Sequence, residues 1–446
     1  MAWPIPTRLR TGIPAASLVC AWLALPALAQ IAVRNQGYVP FSEEPINYRT
    51  QEVDDPVAKL QKLLDRGGVK LTYEPAHGYL KSVLEKLEVP VSSQTLVFSK
   101  TSFQYKKISP QAPRALYFND DVYVGQVHDG KVLEFVSFDA MQGAVFYILD
   151  EHQSDHPVFQ RAELDCTQCH IAAGTRGIPG VLLRSIFTMP SGTQAIQTSA
   201  YITGQQSPLS ERWGGWYVTG THGGQTHMGN VVVQDKEDPE RLDRAAGANI
   251  TDLSTHINTA AYLTGSSDIV AHLVLGHQTQ MHNLITLTNY QTRLALYNAR
   301  QSAEALSSDQ RRQFEKPAEE LLRYLLFVNE APLENPVNGD SAFASEFAAR
   351  GPRDPEGRSL RDFDLNTRIF KYPCSYLIYS AAFDALPEPA KRYVYHRLLE
   401  VLTGREQSPD FAKLTGKDRQ AILEILLATK PGLPDEWKKY RKGTTS

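Results

Sequence analysis

Between Val89 and Leu149 the hydrophobic residues change period, and no other feature limits the fold as much. Thr95–Phe98, Ala115–Phe118, Val122–Val127, Val132–Phe138 and Ala144–Leu149 are β-branched and aromatic runs. Asn119-Asp120-Asp121, Asp129-Gly130 and Gln142-Gly143 separate them with residues that favour tight turns. Connections that short join antiparallel neighbours, so the stretch predicts a meander of four or five antiparallel strands.

The flanks repeat at helical spacing. Val57, Leu60, Leu63 and Leu64 share one face of Asp55–Arg66, and Leu80, Val83, Leu84 and Leu87 share one face of Gly78–Leu87. After a charged stretch, Asp235–Asn249, that reads as a linker, the chain turns mostly helical. Ser266-Ser267-Asp268 caps a run from Ile269 to about Arg300 that carries His272, His277, Met281 and His282. Ser308 or Asp309 caps the next helix, in which Pro317 marks a kink or an early break. Pro389–Leu402 and Gly416–Thr429 end at Gly404 and at Pro431-Gly432. The predicted fold class is α+β: N-terminal short helices and an antiparallel β-meander, a central segment, and a largely α-helical C-terminal half. The expected divisions are 1–29, 30–150, 151–235 and 236–446.

The central segment holds the chemistry. Cys166-Thr167-Gln168-Cys169-His170 spells C-x-x-C-H, the attachment signature of c-type haem. Two thiols bond to the vinyl groups of the porphyrin, and the adjacent imidazole rises to the iron as its proximal ligand. A redox C-x-x-C would need a strand-to-helix setting, whereas QRAELD before the motif reads as charged and turn-like. A zinc site could use His222 and His227 with the two cysteines, but their distance along the chain far exceeds the ligand spacing of a compact finger. The motif occurs once, so one covalently bound haem c is expected.

The first 29 residues support that reading as a signal peptide. Arg8 and Arg10 precede the apolar stretch Ile13–Leu25, and Ala27-Leu28-Ala29 fits the small-x-small cleavage rule. Bacterial c-type haem is attached outside the cytoplasmic membrane, so export to the periplasm and the motif agree. No later stretch is long and apolar enough to span a bilayer, and no transmembrane segment is expected in the mature chain. A formal net charge of −3 excludes a basic field for nucleic acid; the expected partner is a redox protein. Cys374, in the apolar setting FKYPCSYLIYS, is expected as a lone buried thiol.

The sixth position on iron decides between electron transfer and ligand chemistry. The candidates, in order, are Met228, His227, His277 and Met189. Met228, His227 and His222 share a loop rich in glycine, Gly214 to Gly229, beside Trp213, Trp216 and Tyr217. Arg212, with His222 or His227, would suit a peroxidase site; Arg212, Arg176 and Arg184 would equally neutralise haem propionates.

At CTQCH the chain resembles the c-type cytochrome superfamily. The stretches PVSSQTLVFSKTSFQ, RALYFNDDVYVGQV, ERWGGWYVTGTHGGQTHMGN, HQTQMHNLITLTNYQTR and KYPCSYLIYSAAFDALP resemble a family of exported bacterial proteins described only as cytochrome c domain-containing. The resemblance runs from about Val89 to the C-terminus. It implies haem on Cys166 and Cys169, His170 on iron, and electron transfer. The long β-rich lead-in and helical tail depart from a small cytochrome c. The expected function is electron transfer through covalent haem, within or beside an oxidoreductase. Alternatives are a peroxidase-like haem enzyme with an open distal site, and a zinc- or disulfide-stabilised exported binding protein.

Overall fold

The computed structural model describes residues 39–300 and 306–440, all within one compact unit; the expected signal peptide lies outside them. Asp55 opens helix α1 (Pro56–Asp65) by accepting the Val57 and Ala58 amides, which the first helical turn would otherwise leave unsatisfied. Its second oxygen takes the Tyr147 hydroxyl at 2.6 Å, so the cap also fastens the helix to the sheet. A second short helix, α2 (Leu80–Lys86), follows.

The meander forms as expected. Strands β1 (Thr95–Val97), β2 (Arg114–Phe118), β3 (Val122–Gln126), β4 (Val132–Asp139) and β5 (Gly143–Asp150) pair antiparallel in sequence order. Two further strands extend the sheet at its edges. Strand β6 (Phe159–Arg161) pairs with β5, and β9 (Trp216–Tyr217), from the glycine-rich segment, pairs with β1. Between them, β7 (Arg184–Ile186) and β8 (Ala200–Ile202) make a separate hairpin. Strands β6 and β9, both from the segment 151–235, thus complete the sheet that the segment 30–150 begins.

Apart from a half-buried patch on one side, both faces of the sheet are covered, which is why its strands read as near-continuous apolar runs. Ala115, Tyr117, Val124, Leu133, Phe135, Val145 and Tyr147 pack with Val57, Leu60, Leu80 and Val83 of α1 and α2. Val97, Phe118, Tyr123, Phe138, Ala144 and Phe146 face a larger core built on the long helix Ile269–Ala299. Asp268 caps that long helix at Val270 and Ala271 and takes the Asp340 and Ser341 amides with its other oxygen.

The long helix is buried over nearly its whole length and carries polar residues inside the core. Such groups are tolerated only with partners. His272 meets the Tyr217 carbonyl at 2.9 Å, Gln278 reaches the Tyr123 hydroxyl at 2.9 Å, and His282 meets the Asp120 carbonyl at 2.8 Å. The helices Ser308–Leu325, Phe343–Ala349, Glu388–Leu402 and Gly416–Thr429 complete the C-terminal half, with Pro317 accommodated inside the first of them. The fold is α+β. Asp235–Asn249 forms an irregular loop, tied back by the Asn249 side chain, which accepts the His222 amide. No helix among the described residues is long and apolar enough to cross a membrane.

Candidate cofactor site

The C-x-x-C-H motif lies on helix α3 (Glu163–His170), one residue beyond β6. The stretch before it is thus a strand leading into a helix, not the turn that its charge suggested. Cys166 and Cys169 still sit away from the helix N-terminus, where backbone N–H groups would lower a thiol pKa as in a redox C-x-x-C. No disulfide joins Cys166, Cys169 and Cys374. Cys169 is exposed, Cys166 is half-buried against the large core, and Cys374 is fully buried. The spacing puts both cysteines and His170 within the last five residues of one eight-residue helix.

His170 is held from two sides. Its ring lies 4.8 Å from the Phe146 ring on β5. Its Nδ1 is 2.8 Å from the Gly180 carbonyl, which can only accept, so Nδ1 carries the proton and Nε2 keeps a lone pair. Burial lowers the His170 pKa, which the Gly180 carbonyl opposes; Arg114 then lowers it and Glu134 raises it. The imidazole is therefore neutral at pH 7, the form that binds a metal.

Gly180 is placed by the long helix. Asn283 accepts the Val181 amide at 3.0 Å and donates to the Val181 carbonyl at 2.7 Å, clamping the backbone next to Gly180. A methyl group at Gly180 would overlap the Asn283 carboxamide oxygen, so this close approach requires glycine. Thr175 adds to the loop by donating to the Ile178 carbonyl at 2.9 Å.

Beside this helix the sheet is only half covered. Leu116 on β2, Gly125 on β3, Glu134 on β4 and Ile148 on β5 are register neighbours on the His170 side of the sheet. Leu116, Glu134 and Ile148 are all half-buried, as are Val136 and Arg114 on the same face. Gly125 leaves the middle of this row low, and Arg114 reaches across it to Glu134 at 2.6 Å. The result is a shallow apolar floor with one ion pair, next to two cysteines and a histidine with a free Nε2 lone pair. That donor set and that floor fit a flat, apolar, covalently held cofactor.

The expected distal candidates lie in other surroundings. Met228 is fully buried in a small cluster with Phe187, Ala195 and Val233, its Sδ 3.7 Å from Ser185 Oγ, and Met189 packs against the same cluster. His227 accepts the Gly229 amide at Nδ1 and packs on Trp213 and His222, with ring centroids 5.2 and 4.8 Å away. His277 has both nitrogens engaged, by Gln205 at 2.6 Å and Ser375 at 2.7 Å, between the Tyr324 and Phe327 rings. Trp213, Trp216 and Tyr217 are buried core residues. Arg212 is buried and donates to the Ser207 and Gln205 carbonyls, Arg176 pairs with Glu320 at 3.0 Å, and Arg184 reaches Gln194. Among the described residues no group of three or more His, Cys, Asp or Glu side chains is arranged to hold a metal ion, so the Cys2His2 zinc set is not assembled.

Sequence reasoning missed Phe146, Gly180, Asn283, Arg114 and Glu134. Arg114 and Glu134 carried a signal: each is a charged residue in a strand whose neighbours on both faces are apolar. Comparison with protein-family models, curated proteins and solved structures finds no match to this chain.

Proposed function

We propose that this chain is an exported c-type cytochrome, with one haem bonded to Cys166 and Cys169 and His170 as the proximal iron ligand, and that it transfers electrons to or from a redox partner. The observation that carries the reading is the His170 ring. Its Nδ1 is committed to the Gly180 carbonyl, and its Nε2 makes no hydrogen bond among the described residues. Metal-binding histidines are oriented in this way, since the carbonyl fixes the tautomer and makes the ligating nitrogen more basic. Haem held there would supply a one-electron couple. Phe146 and the floor of Leu116, Val136 and Ile148 would exclude water from one side of it, and burial of His170 favours the neutral, ligating imidazole.

The test is a haem stain on denatured protein matured in a host that attaches c-type haem. Wild type should stain, because only covalent haem survives denaturation, and Cys166→Ala/Cys169→Ala should lose the stain entirely. Covalent haem persisting in the double variant, or no stain in the wild type, sinks the reading.

A further inference from the structure

We propose that the loop joining β1 to β2, Lys100–Lys107, is a docking surface for an anionic lipid headgroup layer. Neither the haem nor its redox partner enters that docking, so its failure leaves the covalent-haem reading standing.

The charge of the loop comes from its composition. From Val89 to Asn119 the chain has no Asp or Glu, while Lys100, Lys106 and Lys107 fall within eight residues. None of these three lysines makes an ion pair among the described residues. Glu134, a carboxylate that the loop does touch, is paired with Arg114 at 2.6 Å. Exposed Asp129, on the turn against which Gln104 packs, sets one negative charge against three positive ones.

The loop is held in a fixed shape. Ser102 donates to Glu134 at 2.5 Å, and Gln104 donates to the same carboxylate at 2.9 Å and to the Val132 carbonyl at 3.1 Å. The Gln104 carboxamide oxygen also accepts the Lys131 amide at 2.8 Å. With Ser102 and Gln104 turned inward, Phe103 and Tyr105 face outward, 54% and 47% exposed. A 3-10 turn over Tyr105–Lys107 then keeps Lys106 and Lys107 on the surface. Glu134 is two residues from Val136, which pairs with the Phe146 that touches His170, so the loop borders the motif side of the sheet.

Two aromatic rings exposed side by side lose free energy in water that burial in a partner returns. Phe and Tyr beside lysines suit the headgroup level of a bilayer, where rings meet the acyl boundary and ammonium groups meet phosphates. An acidic protein partner would take about 20–30 residues a side. Here the unpaired lysines and exposed rings are confined to eight residues. A lipid surface accepts so small a patch because it conforms to it, and each lysine strengthens binding by about fivefold on its own.

The experiment is co-sedimentation of the full mature chain, with or without haem, with lipid vesicles. Wild type should sediment with vesicles of equal parts phosphatidylglycerol and phosphatidylcholine, stay in solution with phosphatidylcholine alone, and bind more weakly in about 1 M salt. Lys106→Gln/Lys107→Gln should weaken binding roughly 10- to 50-fold, and Phe103→Ser/Tyr105→Ser should weaken it about 10-fold. All four side chains are exposed, so both variants should unfold at the same denaturant concentration as wild type. A Phe103→Trp variant should shift its emission to shorter wavelength on binding, which electrostatic approach alone would not cause. Wild type that ignores the anionic vesicles, or binding as tight in both double variants as in wild type, would overturn the docking surface. Binding that survives Phe103→Ser/Tyr105→Ser, with an unshifted Phe103→Trp emission, would overturn the role of the rings. Retention on immobilised polyglutamate through Lys106 and Lys107, without vesicle binding, would overturn the lipid and assign the surface to an acidic protein.

Discussion

Stability should fall gradually from pH 6.5 to about 4.5 and steeply below that. Burial holds His227, His272 and His277 at about 3 and His282 at about 4, against an ordinary value of 6.5. Each is neutral in the fold, while the unfolded chain takes up a proton at each as the pH drops through 6.5. The unfolded state then binds more protons, so the stability these groups contribute is complete above pH 6.5 and is lost toward pH 3. Buried carboxyl groups act in the opposite sense. Burial lifts Asp121 to about 6 and Glu151 and Glu330 to about 7. They take protons in the fold before the unfolded chain does, so acidification down to about pH 4.5 favours the fold at those sites. In that window the three carboxyls offset only part of what the four histidines lose. Below it the unfolded carboxyls are protonated as well, and the histidine losses stand alone at about 1.4 kcal/mol per pH unit for each group. Several together would remove a typical stability of about 5–15 kcal/mol within about two units. Urea unfolding at a series of pH values checks this. Collapse already at about pH 5.5 would mean that the three carboxyls are not protonated in the fold, and full stability at about pH 3.5 would mean that the histidines are not held neutral.

The same buried histidines show where the sequence was legible and where it was not. The strands from Thr95 to Asp150 were readable because each run is bounded by turn residues, and the observed bounds differ from the runs by a residue or so. The long helix was readable from its Asp268 cap and its length. Its polar residues gave no local sign of their roles, because a histidine inside a helix looks the same whether it would bind a metal or meet a carbonyl. His277 meets Gln205 and Ser375, which lie far away along the chain on either side of it. The short strands Phe159–Arg161 and Trp216–Tyr217 were missed because neither has a period of its own; each exists by pairing with an existing sheet edge. At the motif, Cys166, Cys169 and His170 stand out by spacing alone, because a C-x-x-C-H signature is local in sequence. The support of His170 could not, because Gly180 follows it in a loop, Phe146 precedes it on a strand, and Asn283 comes from a different helix.

Asn283→Ala should therefore act at two levels, on the stability of the chain and on the properties of His170. Asn283 is fully buried and satisfies both backbone groups of Val181. Its truncation leaves a buried N–H and a buried C=O without partners and opens a small cavity, a loss of about 2–5 kcal/mol. It also frees the Gly180 carbonyl that fixes the proton on Nδ1 of His170. In haem-loaded protein a less firmly held imidazole is a weaker donor to iron, so the reduction potential should rise and the optical spectrum should report altered ligation. Gly180→Ala should reproduce both effects from the other side, because the added methyl would push against Asn283. Asn283→Asp keeps an acceptor for the Val181 amide but loses the donor to its carbonyl, so it should lie between Ala and wild type in both measurements. Denaturant unfolding and potentiometric titration of the same samples separate the levels. If Asn283→Ala loses stability while the potential and spectrum of the bound haem stay unchanged, then Asn283 is a core residue only, and the chain of contacts from the long helix through Gly180 to His170 does not govern the iron.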